Sequence, residues 1–173
     1  MATNIEIKAR VRDMPGFMAR ARALAGVDPV ELSHQDIFFP AQHGRLKLRI
    51  YAPDQGELIY YDRADMDGPK TSTYQISRTS EPELLQTVLG AAHGVRGVVR
   101  KRRLVYKVGQ TRVHLDAVED LGDFMELEVV MRPGQPLDEG VHVAQNLMAK
   151  LAIEPADLID CAYIDLLEHA VEL

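Results

Sequence analysis

The side chains best suited to chemistry in this sequence are cations and carboxylates at every second position of predicted strands. Near the amino terminus, Asn4, Glu6 and Lys8 alternate with the apolar Ile5 and Ile7. Successive side chains of an extended strand point to opposite faces, so this strand has one apolar and one polar face. A single strand of this kind is also typical of an ordinary antiparallel sheet with one face in water. A site is indicated only because the same chemistry recurs along the chain.

The polar faces of the predicted strands sort charge by sign. Cations predominate on them, although the chain as a whole has a net charge of −6. A solvated sheet needs no such sorting, and a core could not hold these charges unpaired. The cations on these faces are Lys8, Arg10, Arg12, Arg45, Lys47, Arg49, Arg63, Lys101, Arg103, Lys107 and Arg112. The carboxylates are Glu6, Asp116, Glu126 and Glu128.

This combination suits a polyanion bound together with a divalent cation. Several Lys and Arg side chains are needed to hold a triphosphate, and Arg contacts phosphate oxygens in a bidentate way. Carboxylate oxygens favour Mg²⁺ or Mn²⁺, which usually also bind substrate phosphates and water. The six histidines show no zinc-ligand spacing. His114 alternates in register with Arg112 and Asp116, and we expect a structural or hydrogen-bonding role for it.

Length and composition restrict the class of protein. A chain of 173 residues with 46% hydrophobic residues fits one globular domain, residues 1–173. Its acidic balance disfavours a nucleic-acid ligand. Glu6 and Lys8 lie where a signal peptide would be apolar, and no apolar run approaches a membrane span, so we expect a soluble cytoplasmic protein with no membrane contact. The lone Cys161 fits a reducing compartment, and we expect it to be a small buried group.

Periodicity and turn residues predict eight strands and four helices. The strands are Asn4–Arg12, Glu31–Phe39, Arg45–Tyr51, Glu57–Arg63, Thr71–Thr79, Val98–Val108, Thr111–Val118 and Asp123–Met131. The helices are Asp13 to Leu24 with Gly26 as its end, a helix after the capping-box pattern Ser80/Glu83 up to Gly94, Pro136 to Leu151, and Ala156 to His169. Strands with such short connections predict an α+β fold, in which an eight-stranded antiparallel barrel or tunnel has helices packed outside and polar faces inside.

Several segments in this order resemble the CYTH superfamily, the triphosphate tunnel metalloenzymes, which include class IV adenylyl cyclases and thiamine triphosphatases. The first strand resembles the family's ExExK signature. The other matching segments are Gly44–Ile50, Arg100–Tyr106, Val113–Asp116, Leu121–Glu128 and Ala162–Leu167. The resemblance therefore extends over nearly the whole chain.

The resemblance implies roles for particular residues. Glu6, Glu126 and Glu128 would bind Mg²⁺ or Mn²⁺, and Asp116 would position metal, water or a base. Phosphate oxygens would be bound by Lys8, Lys47, Arg49, Arg63, Lys101 and Arg103, with Lys8 and Asp116 as the catalytic pair. Two departures stand out: Asn4 replaces the first signature glutamate, and Tyr61 stands where a strand-four lysine is expected.

Three functions remain open from the sequence. The similarity is closest to the class IV cyclase branch, which implies conversion of ATP to cyclic AMP and pyrophosphate, with the protein a monomer or a homodimer. The same tunnel would hydrolyse inorganic triphosphate, thiamine triphosphate or a nucleotide if water took the attacking position. The missing carboxylate at Asn4 keeps a noncatalytic nucleotide or polyphosphate binder as a third possibility.

Overall fold

The computed structural model describes residues 1–171, which form one closed antiparallel barrel of eight strands with four α-helices outside it. The strands are β1 (Ala2–Arg10), β2 (Val30–Phe39), β3 (Arg45–Ala52), β4 (Gln55–Arg63), β5 (Lys70–Thr79), β6 (Gly97–Val108), β7 (Thr111–Val118) and β8 (Gly122–Val130). The helices are α1 (Met14–Ala25), α2 (Pro82–His93), α3 (Leu137–Lys150) and α4 (Tyr163–Val171). The predicted α+β barrel is confirmed; residues 172–173 of the predicted domain lie outside the described range.

The strands close in the order β1-β5-β4-β3-β2-β6-β7-β8. Every neighbouring pair is antiparallel, and the ring is closed by the pairing of β1 with β8. Closure leaves no edge strand free to pair with another chain. In a ring of eight, strands four places apart face each other, so β5 lies opposite β6 and β1 lies opposite β2.

The apolar faces of the strands point outward and are covered by the helices. Ile5, Ile7 and Ala9 of β1 are at most 1% exposed and belong to a cluster that includes residues of α1 and α3. Helix α2 packs on β2 and β3, and α4 packs near β6. Because this core lies outside the barrel, the interior is free to hold the polar faces. No helix within residues 1–171 combines the length and apolar character needed to cross a membrane.

Helix α1 begins and ends as its sequence predicts. The Asp13 side chain accepts a hydrogen bond from the backbone N–H of Gly16 at 3.1 Å, and Gly26 adopts a left-handed conformation with φ of 73°. The capping box predicted for α2 is wrong. Its first residue is Pro82, preceded by Glu81 without a side-chain cap. The backbone N–H of Glu81 donates a hydrogen bond to the Thr79 hydroxyl at 3.1 Å.

The last predicted helix, Ala156 to His169, is wrong in its first half. A short 3-10 helix covers Pro155–Asp157, and α4 starts only at Tyr163. Between them, the N–H of Ile159 donates to the Lys8 carbonyl at 2.9 Å, and Leu158 forms an isolated bridge with Ala9. Pairing with the end of β1 therefore keeps this stretch extended.

The segment 159–165 covers one rim of the barrel. This rim is formed by the ends of β1, β2, β4 and β7 and by the starts of the other four strands. Lys8 and Lys70 donate to the carbonyls of Cys161 and Ile159 at 3.2 and 3.3 Å. Tyr163 from α4 forms part of the cavity floor. We refer to this rim as the closed end and to the opposite rim as the mouth.

Candidate functional site

The barrel encloses a cavity of about 410 Å³, and about half of the side chains that line it are charged. Alternation along each strand places these side chains in the lumen. The predicted residues that line it are Glu6, Lys8, Lys47, Arg49, Arg63, Lys101, Arg103, Glu126 and Glu128. The structure thus brings together every predicted metal ligand and phosphate-binding residue; their roles stay predictions.

One wall of the cavity is organised around Asp36 of β2, which sequence reasoning missed. Asp36 is 1% exposed and accepts two hydrogen bonds from Arg49, at 2.7 and 2.8 Å, and one from Lys47 at 3.0 Å. Burial alone would raise the pKa of Asp36, but Arg49 and Lys47 hold it well below its usual range. Asp36 therefore stays ionised and fixes two cations of β3 in the lumen. The sequence signal for a buried role of Asp36 is that it lies on the same strand face as His34 and Phe38, two residues away on either side.

A second buried pair joins β6 to β7. Arg103 donates to both oxygens of Asp116 at 2.6 Å, and the Tyr163 hydroxyl donates to the same carboxylate at 2.8 Å. Asp116 is fully buried and does not line the cavity. Its two hydrogen bonds fix the guanidinium of Arg103, which does line the cavity. Tyr163, also missed from the sequence, connects this pair to the closed end.

Lys101 lies between the two pairs. Its Nζ is 3.7 Å from Asp116 and 4.0 Å from Asp36, and it lies 4.9 Å from the centre of the Tyr163 ring. Burial, followed by the nearby charge of Arg103, lowers the pKa of Lys101 to about 7. The Lys101 side chain can therefore exchange between its ammonium and neutral amine forms near neutral pH.

Carboxylates from β8 form the acidic part of the lumen. Glu126 lies 3.3 Å from Lys8 and 3.4 Å from Arg103, and Glu128 lies 2.8 Å from Arg112. Burial favours a raised pKa for Glu126, yet the charge of Lys8 keeps it well below its usual range. His114 of β7 lies between the two carboxylates, and one ligand atom from each of these three residues falls within 4.8 Å of the others. These three residues could hold a metal ion.

Glu6 and Asn4 lie beside this acidic group on β1. Glu6 is directly opposite Glu128 in the strand pairing, but its Oε2 accepts from Arg63 at 3.1 Å. Burial and the nearby Glu128 raise the pKa of Glu6. Asn4 is 2% exposed and lines the cavity, and within the part of the chain described here its Oδ1 has no hydrogen-bond partner. Such an unsatisfied oxygen is suited to water or to an ion.

Four cations predicted to point inward do not line the cavity. Arg10 and Lys107 are exposed near opposite rims, because each lies near the end of its strand. Arg12 lies beyond the end of β1 and pairs with Asp157 at 2.6 Å. Arg45 is held between Asp65 and Asp165 at the closed end. The inward prediction is wrong for these four residues.

The outward-facing residues of β6 support the assigned register. Arg100 and Arg102 are exposed, and they donate to Gln35 and Glu31 on the outer surface. Lys101 and Arg103, one position away from them, are buried in the lumen. Tyr61, the other departure from the expected pattern, also lines the cavity, where its ring lies 5.3 Å from the Lys47 ammonium.

Comparison with known proteins is consistent with this geometry. A family model described as the CYTH domain matches residues 2–163. Adenylate cyclase CyaB of Aeromonas hydrophila is 26% identical over an alignment 182 residues long, which covers 98% of this chain and 91% of that protein. The PH1012 protein of Pyrococcus horikoshii has a TM-score of 0.81 at 24% identity, with 94% and 98% of the two chains covered. The Hippeastrum protein HpAC1 has a TM-score of 0.64 at 17% identity, covering 92% and 91%.

Proposed function

The chain belongs to the CYTH family, and from that premise we propose that it is a metal-dependent enzyme that binds a triphosphate in the barrel and converts ATP to cyclic AMP and pyrophosphate. The observation that carries the proposal is the cationic lumen closed at one end. Lys47, Arg49, Lys101 and Arg103 converge there from β3 and β6. These four cations are paired chiefly with only two carboxylates, those of Asp36 and Asp116, and the resulting excess of positive charge suits a polyanion.

We place the terminal phosphate deepest, next to Lys8. The Lys8 ammonium lies over the Tyr163 ring at 4.0 Å and therefore at the cavity floor. Arg49 and Arg103, each fixed by a buried carboxylate, would bind the remaining phosphate oxygens without first losing side-chain freedom. Asp116 serves as a positioning residue for Arg103, because it does not reach the cavity.

Cyclisation requires the ribose 3′-hydroxyl to lose its proton to water and its oxygen to attack the α-phosphorus, while the bond from that phosphorus to pyrophosphate breaks. The cations that surround the phosphates would stabilise the negative charge that develops on the transferred group and on the leaving pyrophosphate. Glu126 and Glu128 would hold Mg²⁺ or Mn²⁺ beside the phosphates, with Glu6 joining them if it exchanges Arg63 for the ion. A bound divalent ion would neutralise phosphate charge and orient the reacting oxygens.

The mouth of the barrel supports an organic triphosphate over an inorganic one. Val105 of β6 and Ile76 of β5 line the cavity from strands that lie opposite each other in the ring. Ile76 is 48% exposed, although it is apolar. Leu32 and Tyr74 are further lining residues near this rim. Apolar side chains on two sides of the mouth suit the base of a nucleotide whose phosphates lie deeper.

Hydrolysis of a triphosphate is the second candidate. HpAC1 from Hippeastrum, which shares the fold, is described as having a dominant triphosphatase activity. The same cations would serve that reaction, in which water attacks the terminal phosphorus, the terminal phosphoanhydride bond breaks and phosphate is released. A noncatalytic binder is the third candidate, because Asn4 cannot supply the anionic oxygen of a glutamate.

Product analysis separates the three candidates. The protein is incubated with ATP, thiamine triphosphate or inorganic triphosphate, each with Mg²⁺ or Mn²⁺, and the products are identified chromatographically. Cyclic AMP with pyrophosphate supports the proposal, free phosphate supports hydrolysis, and binding without turnover supports the binder. Arg103→Ala should abolish any turnover, while Arg102→Ala on the outer face of the same strand should retain it.

The role of the mouth is tested with Ile76→Asp, which places a negative charge where the base is proposed to lie. ATP affinity should fall about tenfold or more, whereas affinity for inorganic triphosphate should change less. Ser77→Asp on the outward-facing neighbouring position is the matched control. An equal loss for both ligands in Ile76→Asp would count against a base at the mouth.

A further inference from the structure

His114 lies beside both Glu126 and Glu128 of β8, and the proposed reaction does not use its side chain. His114 lies directly opposite Glu126 in the pairing of β7 with β8. Its Nδ1 is 3.9 Å from Glu126 Oε2, and its Nε2 is 3.8 Å from Glu128 Oε2. Both separations are too long for hydrogen bonds. The imidazole therefore lies between two carboxylates without being bonded to either.

The imidazole is also buried with unused bonding capacity. His114 is 4% exposed, and among residues 1–171 nothing donates a hydrogen bond to Nδ1 or accepts one from it. A buried polar atom without a partner is costly, so such atoms usually indicate a missing water, ion or ligand. The carboxylates, in contrast, already contact Lys8, Arg103 and Arg112. The structure thus offers one uncommitted nitrogen beside two carboxylates.

The dimensions of this group fit a single cation. Ligand atoms bonded at roughly 2.1 Å to one octahedral ion are about 3 Å apart in neighbouring positions and about 4.2 Å apart in opposite ones. One atom each from His114, Glu126 and Glu128 lie within 4.8 Å of one another. Side-chain adjustments of less than about 1 Å would close the group around an ion. Glu6 is directed to Arg63 instead and is not part of this set.

We propose that His114 is a nitrogen ligand of the metal site, with Glu126 and Glu128 as oxygen ligands, and that the site consequently prefers a first-row transition ion such as Mn²⁺ to Mg²⁺. Imidazole nitrogen suits transition ions, whereas Mg²⁺ favours an all-oxygen environment and retains its water. The inference rests on the proposed function for the presence of a divalent ion, but it does not require turnover.

Pulsed electron paramagnetic resonance on the full chain loaded with Mn²⁺ tests the ligand directly. The spectra are recorded with Mn²⁺ alone and with Mn²⁺ plus a methylene-bridged inorganic triphosphate, a probe that contains no nitrogen. We expect the hyperfine coupling of one directly bound ¹⁴N, which changes to the ¹⁵N pattern in protein labelled at histidine. The coupling should disappear in His114→Gln. It should persist in His34→Gln, since His34 is likewise buried with unpartnered nitrogens but lies on β2.

Calorimetry gives the selectivity. His114→Gln should weaken Mn²⁺ binding by about tenfold or more and Mg²⁺ binding by less than about threefold, so the preference for Mn²⁺ shrinks. Bound Mn²⁺ without ¹⁴N coupling, coupling that survives in His114→Gln, or no Mn²⁺ binding under either condition would overturn the inference. Nitrogen coordination in a protein that converts no triphosphate would refute the proposed enzyme activity and leave this inference standing.

Discussion

Replacing Asp36 by Asn should make the protein less stable and at the same time a tighter binder of polyanions. Asp36 is 1% exposed and accepts three hydrogen bonds from Arg49 and Lys47, with Lys101 4.0 Å away. The amide of Asn carries no negative charge, so Arg49 and Lys47 lose the ion pair that compensates their positive charge. Breaking a buried ion pair from one side costs about 3–5 kcal/mol. We expect a loss of about 3 kcal/mol, at the lower end of this range, because the amide oxygen still accepts a hydrogen bond from Arg49.

The assay is urea unfolding with and without inorganic triphosphate. Ligand that binds only the folded state stabilises it by about 2.7 kcal/mol at a concentration of 100 times Kd. Asp36→Asn removes a negative charge that competes with the ligand for Lys47 and Arg49, while the amide oxygen still positions Arg49. Its Kd for triphosphate should therefore fall, and the same ligand concentration should restore more stability than in the wild type. Asp65→Asn, which removes a half-exposed partner of Arg45, is the control and should change stability by under about 1 kcal/mol. An Asp36→Asn protein as stable as wild type, or one that binds triphosphate more weakly, would refute this account of the wall.

Three further predictions concern the register, the metal and the pH dependence. Arg103→Ala should lose more than about 1.5 kcal/mol of triphosphate affinity in calorimetry, and Arg102→Ala little, because only Arg103 faces the lumen; the reverse order would place β6 in the wrong register. Asn4→Glu should tighten Mn²⁺ binding in the absence of triphosphate by adding an anionic oxygen near Glu6; identical titrations of the two proteins would mean that Asn4 does not face the ion. Above pH 7, triphosphate binding should take up as much as about one proton, since Lys101 with a pKa of about 7 is neutral there in the free protein and an anion favours its charged form. Lys101→Arg should remove that uptake, as measured in two buffers of different ionisation enthalpy, and an unchanged uptake would assign the proton to another group.

The strands and the inward faces could be predicted because both follow from a two-residue period. Each predicted strand agrees with the structure to within two residues at either end. Arg100 and Arg102 lie on the outer face of β6. Because successive side chains of a strand point to opposite faces, Lys101 and Arg103 must face the lumen. Period alone does not tell where a strand leaves the barrel wall. For this reason the pattern predicts that Arg10, at the end of β1, faces inward, although it is exposed.

The partners of the buried cations could not be predicted, since they depend on contacts between distant strands. Asp36 reads as one more polar residue of β2 until the pairing of β2 with β3 places it opposite Arg49. Tyr163 reaches Asp116 across 47 residues of sequence. The extended stretch before α4 likewise depends on the bond from Ile159 to Lys8. In each case a contact between residues distant in sequence determines the side-chain partner or the backbone conformation, and the local sequence pattern does not.

The segment 159–165, which covers the closed end of the barrel, determines the order in which phosphates enter and products leave. Because the barrel is closed at one end, a chain of phosphates can enter only through the mouth with one terminus first. The phosphate group that enters first must then leave last. A long polyphosphate could insert its tip as far as Lys8 and Tyr163 but could not thread through. With the base at the mouth, cyclic AMP would have to depart before pyrophosphate. Pyrophosphate would then compete with incoming ATP for the floor of the barrel, whereas cyclic AMP would not reach it.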